Sequence, residues 1–196
     1  MNILCVLGSP RLKGNSARIA QHFLRSAELL GAKTQTFALN TLIYRGCQAC
    51  YACKKKLDRC MLDDDLTQVL DAMREADVIV LTTPIYFGDI SGQLKCFIDR
   101  TFSFLVPDFI TNPNPSRLPA GKKLLFVITQ GQPDEALFAD VFSKYERFLK
   151  WFGFSESFLI RACGVSKLDD VEHRDDIMRQ AEDLAKKLVS AEKTKG

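Results

Sequence analysis

Thr83-Pro84-Ile85-Tyr86-Phe87-Gly88-Asp89-Ile90-Ser91-Gly92-Gln93-Leu94-Lys95 follows directly on the apolar run Ala76-Asp77-Val78-Ile79-Val80-Leu81 and leads into the helical pattern Leu94, Phe97, Ile98 and Thr101. An apolar run without alternation predicts a strand buried on both faces, as in a parallel sheet covered by helices on each side. A strand that ends in a Pro/Gly loop with aromatic side chains, then turns into a helix, builds a flat apolar ledge at the carboxyl edge of the sheet. Open α/β sheets bind their ligands at that edge.

Strand-like and helix-like patterns alternate along the rest of the chain. Predicted strands are Asn2 to Leu7, Lys33 to Leu39, Val78 to Thr82, Lys123 to Thr129 and Ser157 to Ala162. The predicted helices carry apolar faces at the 3.6-residue period. The first, capped by Asn15 or Ser16, shows Ile19, Phe23, Ala27 and Leu30, with Gly31 at its end. The second follows Asp63, Asp64 or Asp65 and shows Leu66, Val69, Leu70 and Met73. The third runs from about Gly92 to Phe104. The fourth opens at Asp134 or Glu135 and shows Leu137, Val141, Phe142, Tyr145, Phe148 and Leu149. The last follows Asp169 or Asp170 and shows Ile177, Ala181, Leu184 and Leu188. Five strands, each followed by a helix, imply an α/β fold: a five-stranded parallel sheet with helices on both faces and right-handed crossovers. The strand order 2-1-3-4-5 places the topological switch, and a crevice, between strands one and three. Two long connections stand apart: Asn40 to Met61, rich in cysteine, and Leu105 to Gly121, which holds four prolines and no periodicity. Connections of that length are often binding loops or lids.

A chain of 196 residues with 46% apolar and 26% charged residues reads as one ordinary domain, 1–196, able to bury a core. No apolar run approaches the roughly 20 residues of a membrane helix, and no role at a membrane is expected. The start, Met1-Asn2-Ile3-Leu4-Cys5-Val6-Leu7, runs into a strand pattern without a basic leader, so a cytoplasmic location is expected. The net charge of +3 is small. Lys186, Lys187, Lys193 and Lys195 at the end of the last helix read as a solvated helix end, and nucleic-acid binding is not expected. The mild basicity also argues against a strongly acidic electron carrier.

The first strand ends in Gly8-Ser9-Pro10-Arg11-Leu12-Lys13-Gly14-Asn15-Ser16. A helix N-terminus offers unpaired backbone N–H groups and partial positive charge. Ser9, Asn15 and Ser16 add polar side chains, and Arg11 adds a fork suited to phosphate oxygens. The plain alternative is a polar strand-to-helix turn with a capped helix. Neither the P-loop pattern nor G-x-G-x-x-G is present. A phosphate at this loop and a flat ring on the ledge would together suit one ligand.

Of seven cysteines, Cys47, Cys50, Cys53 and Cys60 fall within 14 residues as C-x2-C-x2-C-x6-C. In a chain expected to be cytoplasmic, such clustering points to metal or redox chemistry before disulfides. The first three match the spacing of a bacterial ferredoxin run, but the last gap is longer and no proline follows Cys60. Cys5 and Cys96 sit within a strand and a helix and read as small buried hydrophobes. Cys163 is undecided. His22 and His173 have no partner in the pattern that would make them ligands or bases.

Gly8-Ser9-Pro10-Arg11 with Gly14-Asn15-Ser16, Thr83-Pro84-Ile85-Tyr86-Phe87-Gly88, Ser91-Gly92-Gln93-Leu94-Lys95 with Phe97-Ile98-Asp99-Arg100, and Thr129-Gln130-Gly131 together resemble the NAD(P)H-dependent FMN reductase family of flavodoxin-like proteins. The resemblance implies bound FMN and an oxidoreductase that takes hydride from NAD(P)H and reduces a small acceptor such as a quinone or free flavin. It implies that Ser9, Arg11, Asn15 and Ser16 hold the phosphate, and that Pro84, Ile85, Tyr86, Phe87 and Gly88 line the isoalloxazine, largely through backbone atoms. Thr129, Gln130 and Gly131 would close the far side of the ring. No catalytic side chain is implied, since the flavin carries the chemistry. Plain local readings stand beside these. Phe87 can pack in the core and Ser91-Gly92 can be a helix cap alone. Lys95, Asp99 and Arg100 read as helix-surface or ion-pair residues.

The cysteine pattern resembles that of the iron-sulfur flavoproteins, a branch of the same family, which implies a [4Fe-4S] cluster on Cys47, Cys50, Cys53 and Cys60. Lys54, Lys55, Lys56 and Arg59 would then stabilise a reduced, anionic cluster. A zinc site and a metal-free remnant stay open as alternatives. So does a second function: an electron-transfer module exchanging with a ferredoxin rather than an NAD(P)H reductase. The Pro-rich loop and the apolar ledge suggest a site shared across a homo-oligomer, a dimer or tetramer.

Overall fold

The central strands form from apolar runs with side chains to bury on both faces, and the edge strands from largely half-exposed segments. In the computed structural model, which describes residues 1–193 and side chains to residue 190, they form β1 (Asn2–Leu7), β2 (Lys33–Ala38), β3 (Val78–Tyr86), β5 (Lys123–Thr129) and β6 (Glu156–Ala162). A two-residue strand, β4 (Asp89–Ile90), folds back on the end of β3 as an antiparallel hairpin. The five long strands pair in parallel in the order β2-β1-β3-β5-β6, the flavodoxin-like order expected from sequence. Leu7, the last residue of β1, pairs with Thr82, and Thr129, the last of β5, pairs with Pro84, so β3 runs past both neighbours at the carboxyl edge.

Alternation along these strands divides the core in two. Ile3, Cys5, Val78, Val80, Leu125 and Val127 face α1 (Asn15–Leu29) and α6 (Asp175–Lys193). Leu4, Val6, Ile79, Leu81, Leu124 and Phe126 face α3 (Leu66–Glu75), α4 (Gly92–Thr101) and α5 (Asp140–Leu149). A single helical turn, α2 (Ala52–Lys55), lies in the cysteine loop. Burial on both faces, at about 1.5–3 kcal/mol for each large apolar side chain, explains why β1, β3 and β5 need no polar face.

Several element ends differ from the sequence expectation, each for a local reason. α1 begins behind Gly14 with no side-chain cap, because the Asn15 side chain is committed elsewhere. β3 continues through Pro84, Ile85 and Tyr86, so the expected ledge loop is the tip of a hairpin. α5 starts at Asp140 rather than at 134–135: the Asp134 carboxylate accepts the Ala136 N–H and shapes a loop, leaving Leu137 exposed. α6 starts at Asp175 because Asp170 spends its carboxylate on the Ser166 and Lys167 N–H groups and is followed by a 3-10 turn. Phe148 points out rather than into the core. Among the basic residues of the last helix, Lys186 pairs with Glu182 at 2.8 Å, as a solvated face would. The side chain of Lys193 and all of Lys195 lie outside the described residues. Among the described residues no helix is long and apolar enough to cross a membrane.

Phe126 is fully buried between Phe142 and Tyr145, with ring centroids 6.3 and 6.2 Å away. Phe126→Ala should lower stability by about 3–5 kcal/mol. Urea unfolding should show this as a lower midpoint with unchanged slope.

Candidate functional site

Three chain segments meet at one buried polar node. The Gly8 N–H donates to Thr82 O at 2.9 Å, at the crossing of β1 and β3. The Ser91 hydroxyl donates to Gly8 O at 2.6 Å and accepts from Leu94 N–H at 3.3 Å, capping α4. The Ser91 N–H donates to Thr83 Oγ1 at 2.9 Å. A Cβ on residue 8 would lie 2.6 Å from Thr82 O and 2.7 Å from Leu94 Cβ, so only glycine permits this approach. Ser91 is therefore a helix cap, as the plain reading had it, but one that also ties the first loop to the hairpin.

Beyond the node the first loop opens onto the N-terminus of α1. The N–H groups of Asn15, Ser16 and Ala17 precede the first intrahelical bond, Arg18 N–H to Gly14 O, and no side chain caps them. Ser9 and Ser16 are buried beside them. The Ser9 Oγ accepts the Arg11 N–H, and Arg11 Nη1 reaches Ser166 O at 3.3 Å. The Asn15 amide donates to Lys167 O at 2.7 Å and accepts from Val171 N–H, so what Asn15 offers an anion is its backbone N–H. The loop after β6, residues 163–170, was not expected here. Asp170 organises it, and the two N–H groups it accepts hold its carboxyl below the ordinary range.

The hairpin tip forms the ledge. Phe87 is fully exposed at φ 50°, Gly88 follows at φ 79°, and Tyr86 is 44% exposed. Core packing of Phe87 is thus excluded. Phe138, at φ 64°, packs its ring against Gly88. Below the tip, burial works to raise the Asp89 carboxyl, but hydrogen bonds from Lys144 at 2.7 Å, the Ile90 N–H and the Tyr145 hydroxyl at 2.9 Å hold it below its ordinary value. On the far side, Thr129 and Gln130 are buried and Gly131 is exposed. The Gln130 side chain turns inward: it donates to Gln132 O and Asp134 O and accepts from Arg161 Nη2 at 2.6 Å. Gln130 therefore presents its backbone, not its amide, and Arg161 braces the loop by a further bond to Glu135 O. Neither Arg161 nor Phe138 was singled out from sequence.

This crevice fits FMN on two observations. An uncapped helix N-terminus lies beside buried hydroxyls and Arg11, which suits a phosphate. A strained, fully exposed aromatic tip faces the same edge, and such left-handed non-glycine residues cluster at functional sites. Thr82 Oγ1, on β3 beside the node, is buried without a partner.

The four non-glycine residues with positive φ among the described residues fall into two places: Phe87 and Phe138 at the ledge, and Ala49 and Tyr51 in the cysteine loop. That loop bends so that Cys47, Cys50, Cys53 and Cys60 line one cavity of about 130 Å³, with Arg100 and Phe102 on its wall. Burial pushes the Cys53 thiol up against the pull of Lys54, and Cys60, Cys50 and Cys47 add to the rise. Lys54 donates to Phe102 O and Leu105 O and lies 3.9 Å from the Phe102 ring centre. Arg117, from the Pro-rich excursion, donates to Cys53 O and Ser103 O and closes the loop from above. Among the described residues no three His, Cys, Asp or Glu side chains converge as a ligand group for a metal ion. A zinc ion requires four donors at about 2.0–2.3 Å from one point. A [4Fe-4S] cluster instead spreads its four thiolates over four irons. Of the remaining cysteines, Cys5 is fully buried and its thiol pushed up to about 12. Cys96 packs against Gly46 at the mouth of the cysteine loop.

Of the two readings of Arg100, surface or ion-pair residue, the second holds: it is 1% exposed and pairs with Asp64. Its Nη1 donates to Arg45 O and to Asp64 Oδ2, both at 2.8 Å, and its Nη2 donates to Leu62 O at 3.1 Å. Burial opposes its charge, but Asp64 and Cys60 outweigh that and raise its pKa. Lys95 does lie on the surface, paired with Asp99 at 2.7 Å. A second, larger cavity of about 600 Å³ opens between α4 and α5, lined by Ile98, Phe102, Phe148, Trp151 and Phe152.

A parallel sheet with an anion loop and an aromatic ledge at its switch point defines a flavodoxin-like flavin-binding protein. The chain belongs to the NADPH-dependent FMN reductase family, whose model matches residues 1–140. It is 35% identical over 101 residues to an iron-sulfur flavoprotein of Methanocaldococcus jannaschii, covering 52% of each chain. It is 32% identical over 109 residues to an FMN-dependent NADH:quinone oxidoreductase of Sinorhizobium fredii, covering 50% of each. The chain thus spans about half the length of the curated relatives it matches. In overall fold it resembles an NAD(P)H:quinone oxidoreductase of Methanothermobacter marburgensis, with a TM-score of 0.73 over 96% of both chains at 15% identity.

The Arg100–Asp64 pair gives a pH prediction. Burial would raise the Asp64 carboxyl, but Arg100 and the N–H groups of Arg45 and Leu66 hold it below its ordinary 3.8. A depressed native pKa means that this stabilisation is complete above the ordinary value and is lost as pH falls through the lower native one. Hydrogen exchange should show the cysteine loop opening below about pH 4. Asp64→Asn should remove that acid limb and cost about 3 kcal/mol at neutral pH.

Proposed function

We propose that the chain is an FMN-dependent oxidoreductase that takes reducing equivalents from NAD(P)H and delivers them to a small acceptor of the quinone or flavin class. The observation that carries this reading is the junction of an uncapped α1 N-terminus with a fully exposed aromatic hairpin tip across the Gly8–Ser91 node. Bound FMN would supply the hydride and electron chemistry. The protein's part is to bind, orient and shield. Arg11, the Ser9 and Ser16 hydroxyls and the backbone N–H groups of Asn15 and its neighbours would hold the phosphate. The backbone of Pro84 to Gly88 would support one edge of the ring, and the backbone of Thr129, Gln130 and Gly131 the other. A hydride step requires no general acid or base from the protein.

The cysteine cavity supports a fuller version, in which Cys47, Cys50, Cys53 and Cys60 hold a [4Fe-4S] cluster that exchanges electrons with the flavin. One specific observation favours the alternative function, an electron-transfer module serving a ferredoxin: four cysteines share a single cavity. We further propose a homo-oligomer working in the cytoplasm, with the exposed aromatics Tyr86, Phe87, Phe148 and Trp151 as the surface that association would cover.

Protein purified without oxygen should carry FMN, with about four irons and four sulfides per chain if the fuller version holds. It should oxidise NADH or NADPH when a quinone is added. Iron and FMN together with negligible NAD(P)H oxidation but rapid exchange with reduced ferredoxin would shift the assignment to the electron-transfer module. Absence of FMN after reconstitution would end both.

Arg11→Ala should weaken FMN binding about ten- to a hundredfold while leaving the fold intact, the loss of one charged hydrogen bond worth about 1.5–3 kcal/mol. Titration of FMN fluorescence against apoprotein measures it.

A further inference from the structure

Arg100 is a long cation with no solvent and no surface role, and the reading of the flavin site does not use it. It sits at the carboxyl end of α4, nine residues beyond Ser91 at the crevice node. Its guanidinium bonds both stems of the cysteine loop: Arg45 O on the way in, Leu62 O and the Asp64 carboxylate on the way out. Its Nε–H, also buried, has no partner. It lines the same cavity as Cys47, Cys50, Cys53 and Cys60, with Cys60 its nearest thiol influence. A buried guanidinium that closes a loop usually has every N–H satisfied by that loop. Here one donor is left over, on a residue that lines the cavity together with the four cysteines.

We propose that Arg100 is a positioning residue for the cysteine cavity, clasping both stems of the loop so that the four sulfurs face one space and leaving its unpartnered Nε–H and fixed positive charge for an anionic sulfur-bound group there. The proposal rests on the iron–sulfur version of the proposed function and adds the counter-charge to it. Of the loop lysines, Lys55 and Lys56 are exposed, and Lys54, whose charge also pulls on Cys53, is anchored to Phe102 O and Leu105 O. A fixed positive charge beside a cluster favours its more negative, reduced state, and hydrogen bonds to the sulfurs act in the same direction.

The test uses full-length protein reconstituted with iron and sulfide under argon, as wild type, Arg100→Lys and Arg100→Gln. FMN content and the far-ultraviolet circular dichroism report whether each variant is folded. Iron and sulfide per chain and the reduction midpoint report the role of Arg100. The Lys variant keeps the charge but not the fork. It should retain FMN, lose part of its iron, and hold the midpoint of its remaining clusters near that of the wild type. The Gln variant should retain FMN and bind at least fivefold less iron. At the wild-type midpoint, the reduced-to-oxidised ratio of its remaining clusters should fall about tenfold, equivalent to about 59 mV for one electron. Wild-type iron content and midpoint in both variants would overturn the proposal and leave the iron–sulfur version standing. Equal loss of iron in both variants with an unchanged midpoint would reduce Arg100 to a structural clasp and overturn the counter-charge. Wild-type protein that takes up FMN but no iron would remove the iron–sulfur version and this proposal with it, while the FMN oxidoreductase reading would survive.

Discussion

The structure depends on one close approach. Gly8 passes so near Thr82 and Leu94 that a single carbon atom at its Cβ position would overlap both. That approach lets β1 bond β3 to its last residue and brings the Ser91 hydroxyl within 2.6 Å of Gly8 O. The end of β1, the end of β3 and the start of α4 are thereby fixed by three buried hydrogen bonds rather than by side-chain packing. Buried polar groups of this kind impose geometry because the alternative, an unsatisfied carbonyl or hydroxyl, costs about 1–3 kcal/mol each. Everything that the crevice presents to a ligand hangs from this node: the α1 N-terminus on one side and the hairpin tip on the other.

What could be read from the residues follows from the same physics. Strands buried on both faces announce themselves as apolar runs, so β1, β3 and β5 and their order were legible, and so were the loops at their carboxyl ends. Side chains whose role is set by distant backbone were not. Arg100 sits on an amphipathic helix where a basic residue normally faces water. Its partners are carbonyls 38 and 55 positions away in the chain, and no local pattern encodes them. Gln130 and Asn15 show the opposite case. Their residue type and position suggested contact with a ligand, yet each amide is consumed by neighbouring backbone, Gln130 by its own loop and Asn15 by the turn after β6. The hydrogen-bonding capacity of an amide says that it will find partners, not which ones. A hint at Arg100 did exist: Asp64 precedes an apolar helical pattern and has to spend its carboxylate somewhere.

Strain is distributed in the same two places. Phe87 and Phe138 adopt left-handed backbone at the ledge, and Ala49 and Tyr51 do so in the cysteine loop. Each such residue costs of order 1–3 kcal/mol and persists only when its surroundings over-determine it. At the ledge the surroundings are the Asp89–Lys144–Tyr145 group and the Arg161 brace. In the cysteine loop they are Arg100, Arg117 and Lys54, all of which bond backbone carbonyls rather than the surface. A loop that needs three cations to hold its main chain in shape, and that places four thiols on one cavity, is expensive unless the shape serves something.

α4 joins the two places. Its first turn is capped at the node by Ser91, and its last carries Arg100 and leads into Phe102 on the cavity wall. At 1.5 Å per residue the nine steps from Ser91 to Arg100 set a separation of about 13 Å along the helix axis. That separation is held by continuous backbone hydrogen bonds and by Leu94 and Phe97 buried against the sheet. The helix therefore acts as a rigid spacer between the flavin crevice and the cysteine cavity of one chain. If the two sites exchange electrons as proposed, their spacing is a property of this helix.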